Sequence, residues 1–192
     1  VCDAVSYLID NTQASVDELM QFIKGPDFPT AGVIQGMEGI KNAYATGHGK
    51  MVVRARAYVG DGTEGGRHRI VVTELPYQTD KSALVEKIAE LVKNKIITGI
   101  GELRDESDRQ GIRIVIELKR EAQPPQVLNS LYKYTAMQST FFVNMLALVE
   151  GQPKVISLKE SLQYYIDFCH EIITRRSRFD LKVAKDRAHI LE

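Results

Sequence analysis

The chain has no tryptophan, only two cysteines and six prolines in 192 residues, and no excess of either charge: 25 Lys and Arg balance 25 Asp and Glu. Each shortage excludes something. Cys2 and Cys169 lie far apart and neither belongs to a Cys-x-x-Cys pair, so there is no cysteine zinc or redox signature. With no basic-then-apolar leader, both are expected as reduced thiols of a cytoplasmic protein. A zero formal charge argues against a general polyanion sponge, so nucleic-acid binding has to come from local patches. No apolar run approaches the roughly 20 residues that cross a bilayer. The four histidines, His48, His68, His170 and His189, share no ligand spacing, and neither a P-loop nor a dinucleotide fingerprint is present. The first residue is Val1 and the last, Glu192, ends a helical pattern; the expectation is a piece of a longer protein.

The most informative stretch is Thr46-Gly47-His48-Gly49-Lys50-Met51-Val52-Val53-Arg54-Ala55-Arg56-Ala57-Tyr58-Val59. A glycine-opened turn runs into a strand whose side chains alternate between two faces. Val53, Ala55, Ala57 and Val59 share one face; Lys50, Val52, Arg54, Arg56 and Tyr58 share the other. From Lys41 to Arg56 there are four cations, His48 and no carboxylate, whereas residues 1–40 hold six carboxylates and one lysine. A row of cations on a rigid strand suits a polyanion backbone. The plain alternative is a solvated face whose arginines pair with carboxylates elsewhere.

Around this stretch the chain alternates helix and strand. Residues 1–10 read as a helix, and Ser15 with Glu18 forms a capping box for the next. Gly25-Pro26-Asp27-Phe28-Pro29-Thr30 reads as a stiff connection, followed by a short apolar segment at 31–34 and a weak helix at 36–45. Residues 60–66 form a hairpin loop and 67–75 the return strand. Thr79 or Asp80 caps a helix at about 80–95, striped by Leu84, Val85, Ile88, Leu91, Val92 and Ile96. Residues 103–111 read as a loop, 112–119 as a strand, 124–134 as a proline-opened helix and 139–149 as one strand. From Ser157 onward there is neither proline nor glycine, and Leu162, Tyr165, Cys169, Ile172, Phe179, Val183 and Ile190 keep a three-four spacing. This predicts a helix of about 50 Å, a connector or one arm of a coiled coil, although Arg176 and Asp186 interrupt its stripe. The fold class is mixed α/β (α+β), a partly antiparallel sheet flanked by helices with a long C-terminal helix starting a coiled-coil arm.

Two other groupings invite chemistry. Asp105, Glu106 and Asp108 lack the glycine and distal glutamate of a calcium loop and read as a solvated turn, with Arg104 and Arg109 competing as partners. Lys133-Tyr134-Thr135 offers a tyrosine beside a cation, but no further arginine or histidine is near it in sequence, and helix-end packing accounts for it.

Several stretches resemble the A subunit of bacterial type IIA DNA topoisomerases, gyrase more than its relative topoisomerase IV. They are Gly25-Pro26-Asp27-Phe28-Pro29-Thr30, Thr46-Gly47-His48-Gly49-Lys50, Arg54-Ala55-Arg56, Glu74-Leu75-Pro76-Tyr77-Gln78, Lys87-Ile88-Ala89-Glu90-Leu91-Val92, Leu103-Arg104-Asp105-Glu106-Ser107-Asp108, Arg113-Ile114-Val115-Ile116-Glu117 and Asp186-Arg187-Ala188-His189-Ile190-Leu191-Glu192. In this order they are highly specific, and the resemblance covers essentially the whole chain. The resemblance implies a helical lead-in at 1–24 from an upstream winged-helix region, a tower (shoulder) domain at 25–155 and the first coiled-coil helix at 156–192. It places the catalytic tyrosine upstream, in an Arg-Tyr-Thr motif that Lys133-Tyr134-Thr135 imitates only superficially, so no catalytic or metal residue is carried over. It implies that the tower cradles the gate DNA and that Lys50, Arg54 and Arg56 contact phosphates, with Lys41 and His48 secondary. His48 stands where the family commonly has arginine, which weakens that contact and makes it pH-sensitive. The implied parent works in the cytoplasm on double-stranded DNA as two A and two gyrase B subunits, with Mg2+ and ATP held by the B subunit. Competing readings are a structural spacer without DNA contact, an RNA-binding module, for which only Tyr58 offers base stacking, and a small enzyme, for which no nucleophile–base set converges.

Overall fold

The computed structural model describes residues 1–61 and 67–191. Among the described residues six helices and nine strands follow one another: α1 (Cys2–Asp10), α2 (Val16–Phe22), β1 (Val33–Gln35), α3 (Glu38–Thr46), β2 (His48–Arg54), β3 (Arg56–Asp61), β4 (His68–Glu74), α4 (Lys81–Lys93), β5 (Ile100–Asp105), β6 (Ile114–Leu118), α5 (Pro124–Tyr134), β7 (Gln138–Asn144), β8 (Leu146–Val149), β9 (Gln152–Val155) and α6 (Leu158–Leu191). The strands form sheets of order β1-β2-β7, β3-β4-β6-β5 and β8-β9. Every pair with an assigned register (β1–β2, β3–β4, β4–β6, β5–β6, β8–β9) is antiparallel. The mixed α/β class with a long exit helix is therefore what the chain adopts. No described helix is long and apolar enough to cross a membrane.

The chain divides into two compact units, one of residues 1–26, 40–49 and 143–192, the other of residues 27–39 and 50–142. The second unit is built on the four-stranded sheet. Ile70 and Val72 on β4 and Ile114, Ile116 and Leu118 on β6 point to one face, where Leu84, Ile88 and Leu91 of α4 and Val127 and Leu131 of α5 close a single core. The apolar stripe of α4 does what its spacing predicts, and the Asp80 side chain caps it by accepting the Ala83 N–H at 2.7 Å. Ile96 falls outside this core, half exposed, and Ile97 takes the buried place. The turn after the helix carries Lys95 at φ 59° and so shifts the stripe by one residue.

The opposite face of this sheet is charged at its rim and apolar at its centre. Tyr58, Val71, Val115 and Arg104 lie in one cross-strand row, with Val71 and Val115 fully buried. Arg104 pairs with Glu102, Glu106 and Glu117, and Arg113 with Glu106.

In the other unit α1 and α2 pack against α6. Ala4, Leu8, Leu19, Leu158 and Leu162 are buried there. Ser15 and Glu18 form the capping box that the sequence predicts, with the Ser15 N–H donating to the Glu18 carboxylate at 2.7 Å. Ser157 and Glu160 repeat the device at the start of α6. Over 34 residues α6 extends about 51 Å at roughly 1.5 Å per residue. Only its first turns are buried; Tyr165, Phe168, Ile172, Phe179, Val183 and Ile190 are exposed.

Past residue 100, three segments depart from expectation. Residues 103–105 continue strand β5 instead of opening a loop, because their backbone pairs with residues 114–116 of β6. The single strand expected at 139–149 is two, β7 and β8, interrupted at Met145; the Met145 N–H goes to Gly47 O and its carbonyl to the Ile156 N–H. The segment after Gly151 is a further strand, β9, hairpinned to β8. The hairpin loop expected at 60–66 lies outside the described residues beyond Asp61, but the antiparallel pairing of β3 with β4 on either side of it is in place.

Candidate nucleic-acid interface

The cationic stretch folds as two strands, not one. Met51, Val53 and Ala55 are buried while Lys50, Val52, Arg54 and Arg56 face outward, so the predicted alternation holds. The break comes at Ala55. Its N–H donates to Met137 O at 2.7 Å and its carbonyl accepts the Tyr132 hydroxyl at 3.1 Å, so neither group continues a ladder. A register shift follows between Arg56 and Ala57. Arg54 therefore ends β2 in the β1-β2-β7 sheet, and Arg56 begins β3 in the four-stranded sheet. Val59, expected on the apolar face, is exposed because β3 is an edge strand there.

Each candidate residue has its own electrostatic setting. The Lys50 ammonium is exposed and has no hydrogen-bond or ion-pair partner among the described residues. Arg54 is half-buried; its Nε donates to Gln138 Oε1 at 2.6 Å and its guanidinium lies 4.9 Å from the Tyr132 ring centre. Arg56 pairs with Glu74 at 3.3 Å but stays 61% exposed. Glu74 also accepts the Gly32 N–H at 2.8 Å. Lys41, in the other unit, is 2.7 Å from Asp17. His48 is exposed, and its backbone N–H donates to the Thr46 hydroxyl at 3.2 Å. The second unit thus brings together Lys50 and Arg54 on one strand face, with no carboxylate partner among the described residues, and it neutralises Arg56.

The two other groupings resolve into ordinary contacts. Asp105 is 2.6 Å from Lys81 and accepts from Ser107, which hold its carboxyl down at about 2. Hydrogen bonds from Arg113 and then Arg104 lower the Glu106 carboxyl as well. Asp108 accepts the Gln110 N–H across its turn. The competing arginines are therefore Arg104 and Arg113, not Arg109. Among the described residues no three His, Cys, Asp or Glu side chains converge as metal ligands. Tyr134 is exposed at the end of α5 beside the Lys133 ammonium, and the Thr135 hydroxyl donates to Leu131 O at 2.6 Å, as helix-end packing predicts.

Gln138 and Tyr132 are absent from the sequence-based site. Tyr132 reads as part of an amphipathic face, and Gln138 is 84 residues from Arg54, so no local spacing connects them.

The second unit is thus an α+β unit with cations on one strand face that have no carboxylate partner among the described residues, and the other unit carries the 34-residue helix α6. The whole chain, residues 1–192, matches the family of DNA gyrase/topoisomerase IV A subunits. It is 62% identical over 193 residues to the DNA gyrase A subunit of Dehalogenimonas lykanthroporepellens, covering 100% of this chain and 24% of that protein. It is 55% identical to the DNA gyrase A subunit of Clostridium acetobutylicum and 53% identical to that of Pseudomonas aeruginosa, in each case over 100% of this chain and 23% and 21% of those proteins. The chain belongs to this DNA gyrase/topoisomerase IV family, and it spans about a quarter of the length of the curated relatives it matches.

Proposed function

We propose that this chain is the part of a type IIA topoisomerase A subunit that holds the bent gate duplex beside the cleavage centre and links that centre to the dimer arms. Residues 1–24 act as the lead-in, 25–155 as the tower and 156–192 as the first coiled-coil helix. The parent is a cytoplasmic DNA gyrase of two A and two B subunits that supercoils DNA at the expense of ATP. The B subunit holds ATP and Mg2+, and this chain supplies no catalytic residue.

The observation that carries the reading is the outward face of β2, where Lys50 and Arg54 stand on a strand with no carboxylate among the described residues to cancel their charge. Strand passage needs a bent duplex held with little regard to sequence. Bending a site of this kind costs on the order of 1–6 kcal/mol, and cations on a rigid strand offset it through phosphate contacts and counterion release. Arg56 contributes less, because it first has to leave Glu74; Lys41 and His48 are secondary contacts. The competing spacer reading draws on the same geometry, since Lys41 and Arg56 already have carboxylate partners.

The test is duplex binding by the full-length protein across a salt series, wild type against the triple variant Lys50→Ala, Arg54→Ala, Arg56→Ala. Each lost phosphate contact flattens the log–log slope by about 0.9, so a fall of roughly 1.8 to 2.7 is expected, together with reduced bending of the duplex. Unchanged slope and bending would sink the reading and leave the chain a spacer.

A further inference from the structure

We propose that Gln138 and Tyr132 are positioning residues that hold Arg54 as the pre-ordered phosphate contact of the β2 face; the proposal rests on the duplex-binding reading above. The ion-paired guanidiniums of this protein are held by carboxylates. Arg56 is held by Glu74, Arg104 by Glu102, Glu106 and Glu117, Arg113 by Glu106, and Arg175 and Arg176 by carboxylates one helical turn away. In each of these the partner cancels the charge.

Arg54 is fixed differently. Its Nε donates to the amide oxygen of Gln138 on β7 at 2.6 Å, and its guanidinium lies 4.9 Å from the ring centre of Tyr132 on α5. The Tyr132 hydroxyl is itself anchored on Ala55 O at 3.1 Å. Both partners are neutral. An amide oxygen and an aromatic face orient a guanidinium without removing its charge. Only Nε is consumed. Neither Nη group has a partner among the described residues, and neither is among the buried unpartnered atoms, so both reach solvent. The two Nη nitrogens are then left to match two oxygens of a phosphate diester as a planar fork. Lys50 on the same face is a flexible point charge by comparison, so ordering it on binding costs entropy that Arg54 has already lost on folding.

A strut role for Arg54, merely tying β2 to α5 and β7, makes a different prediction, and a double-mutant cycle in the full-length protein separates the two. Duplex affinity is measured across a salt series for wild type, Arg54→Ala, Gln138→Leu and the double variant, with thermal unfolding of each. Arg54→Ala is expected to flatten the salt slope by about 0.9. Gln138→Leu keeps the cation, so the slope stays near wild type while affinity falls about two- to tenfold, the cost of ordering one long side chain on binding. In the Arg54→Ala background Gln138→Leu is expected to have no further effect on affinity. Wild-type affinity in Gln138→Leu, or an equal loss in both backgrounds, would overturn the positioning role while leaving the duplex contact standing. An unchanged slope in Arg54→Ala would remove the duplex contact of Arg54 itself, and the proposal with it.

Discussion

Replacing Gly47 by alanine tests how the turn into β2 is built. Gly47 follows the last residue of α3 at φ +78°, in the left-handed region where glycine carries no Cβ penalty. Its N–H donates to Ala43 O and its carbonyl accepts the Met145 N–H, both at 2.8 Å. A Cβ at this position would stand 2.6 Å from Val155 Cγ1 and 2.7 Å from Ile156 O. Gly36 supplies the control: its φ is +80°, yet nothing lies within 4 Å of the Cβ it would gain. Gly36→Ala should therefore show only the left-handed penalty, about 1–2 kcal/mol. Gly47→Ala should show the same penalty plus a forced shift of the backbone at Ile156, about 1–3 kcal/mol more by the usual cost of overpacking. Alanine also restricts the unfolded chain, but equally at both sites, so that contribution cancels in the difference. The assay is urea unfolding of both variants, compared through ΔG at equal m-value. Equal destabilisation of the two would refute the close approach of Val155 and Ile156 to Gly47.

Two further outcomes are expected. The Asp105 carboxyl, held at about 2 chiefly by the hydrogen bond from Lys81 and then by Ser107, lies below the ordinary value of about 3.9. Its contribution to stability is thus fully present above about pH 4 and is lost as pH falls toward 2; a carboxyl NMR titration should show the low midpoint, and Lys81→Met should raise it, whereas a midpoint unmoved in that variant would exclude Lys81 as the cause. Ile88, with no exposed surface at the centre of the α4–sheet core, should cost roughly 2–5 kcal/mol on truncation to alanine, measured by chemical unfolding, and a loss below about 1 kcal/mol would place it outside the close-packed core.

The helices were the most legible part of the chain. The Ser15 box, the Asp80 cap, the proline-opened α5 and the proline-free α6 are written in neighbouring residues, because capping and i, i+4 spacing are local physics. The strands were legible in phase but not in extent. Period two placed Lys50, Arg54 and Arg56 outward, yet Leu103 to Asp105 joined a strand only because β6 offers them a partner further along the chain. Phe141 and Phe142 suggested one apolar strand, but Phe28, Tyr77 and Phe141 gather into an aromatic cluster, with ring centres 4.9 to 6.1 Å apart, and Phe142 faces solvent.

Local pattern was enough for the class of fold, the order of its helices, the alternation that turns the cations outward and, through the ordered motifs, the family. Which of those cations keep their charge was settled by long-range packing. Ala55 bonds to Met137 and Tyr132, and the Tyr132 contact spans 77 residues of sequence. Those bonds part Arg54 from Arg56. They leave one on neutral partners and deliver the other to Glu74. A charge and its spacing are properties of the chain, whereas neutralisation depends on which distant group folding brings within hydrogen-bond reach.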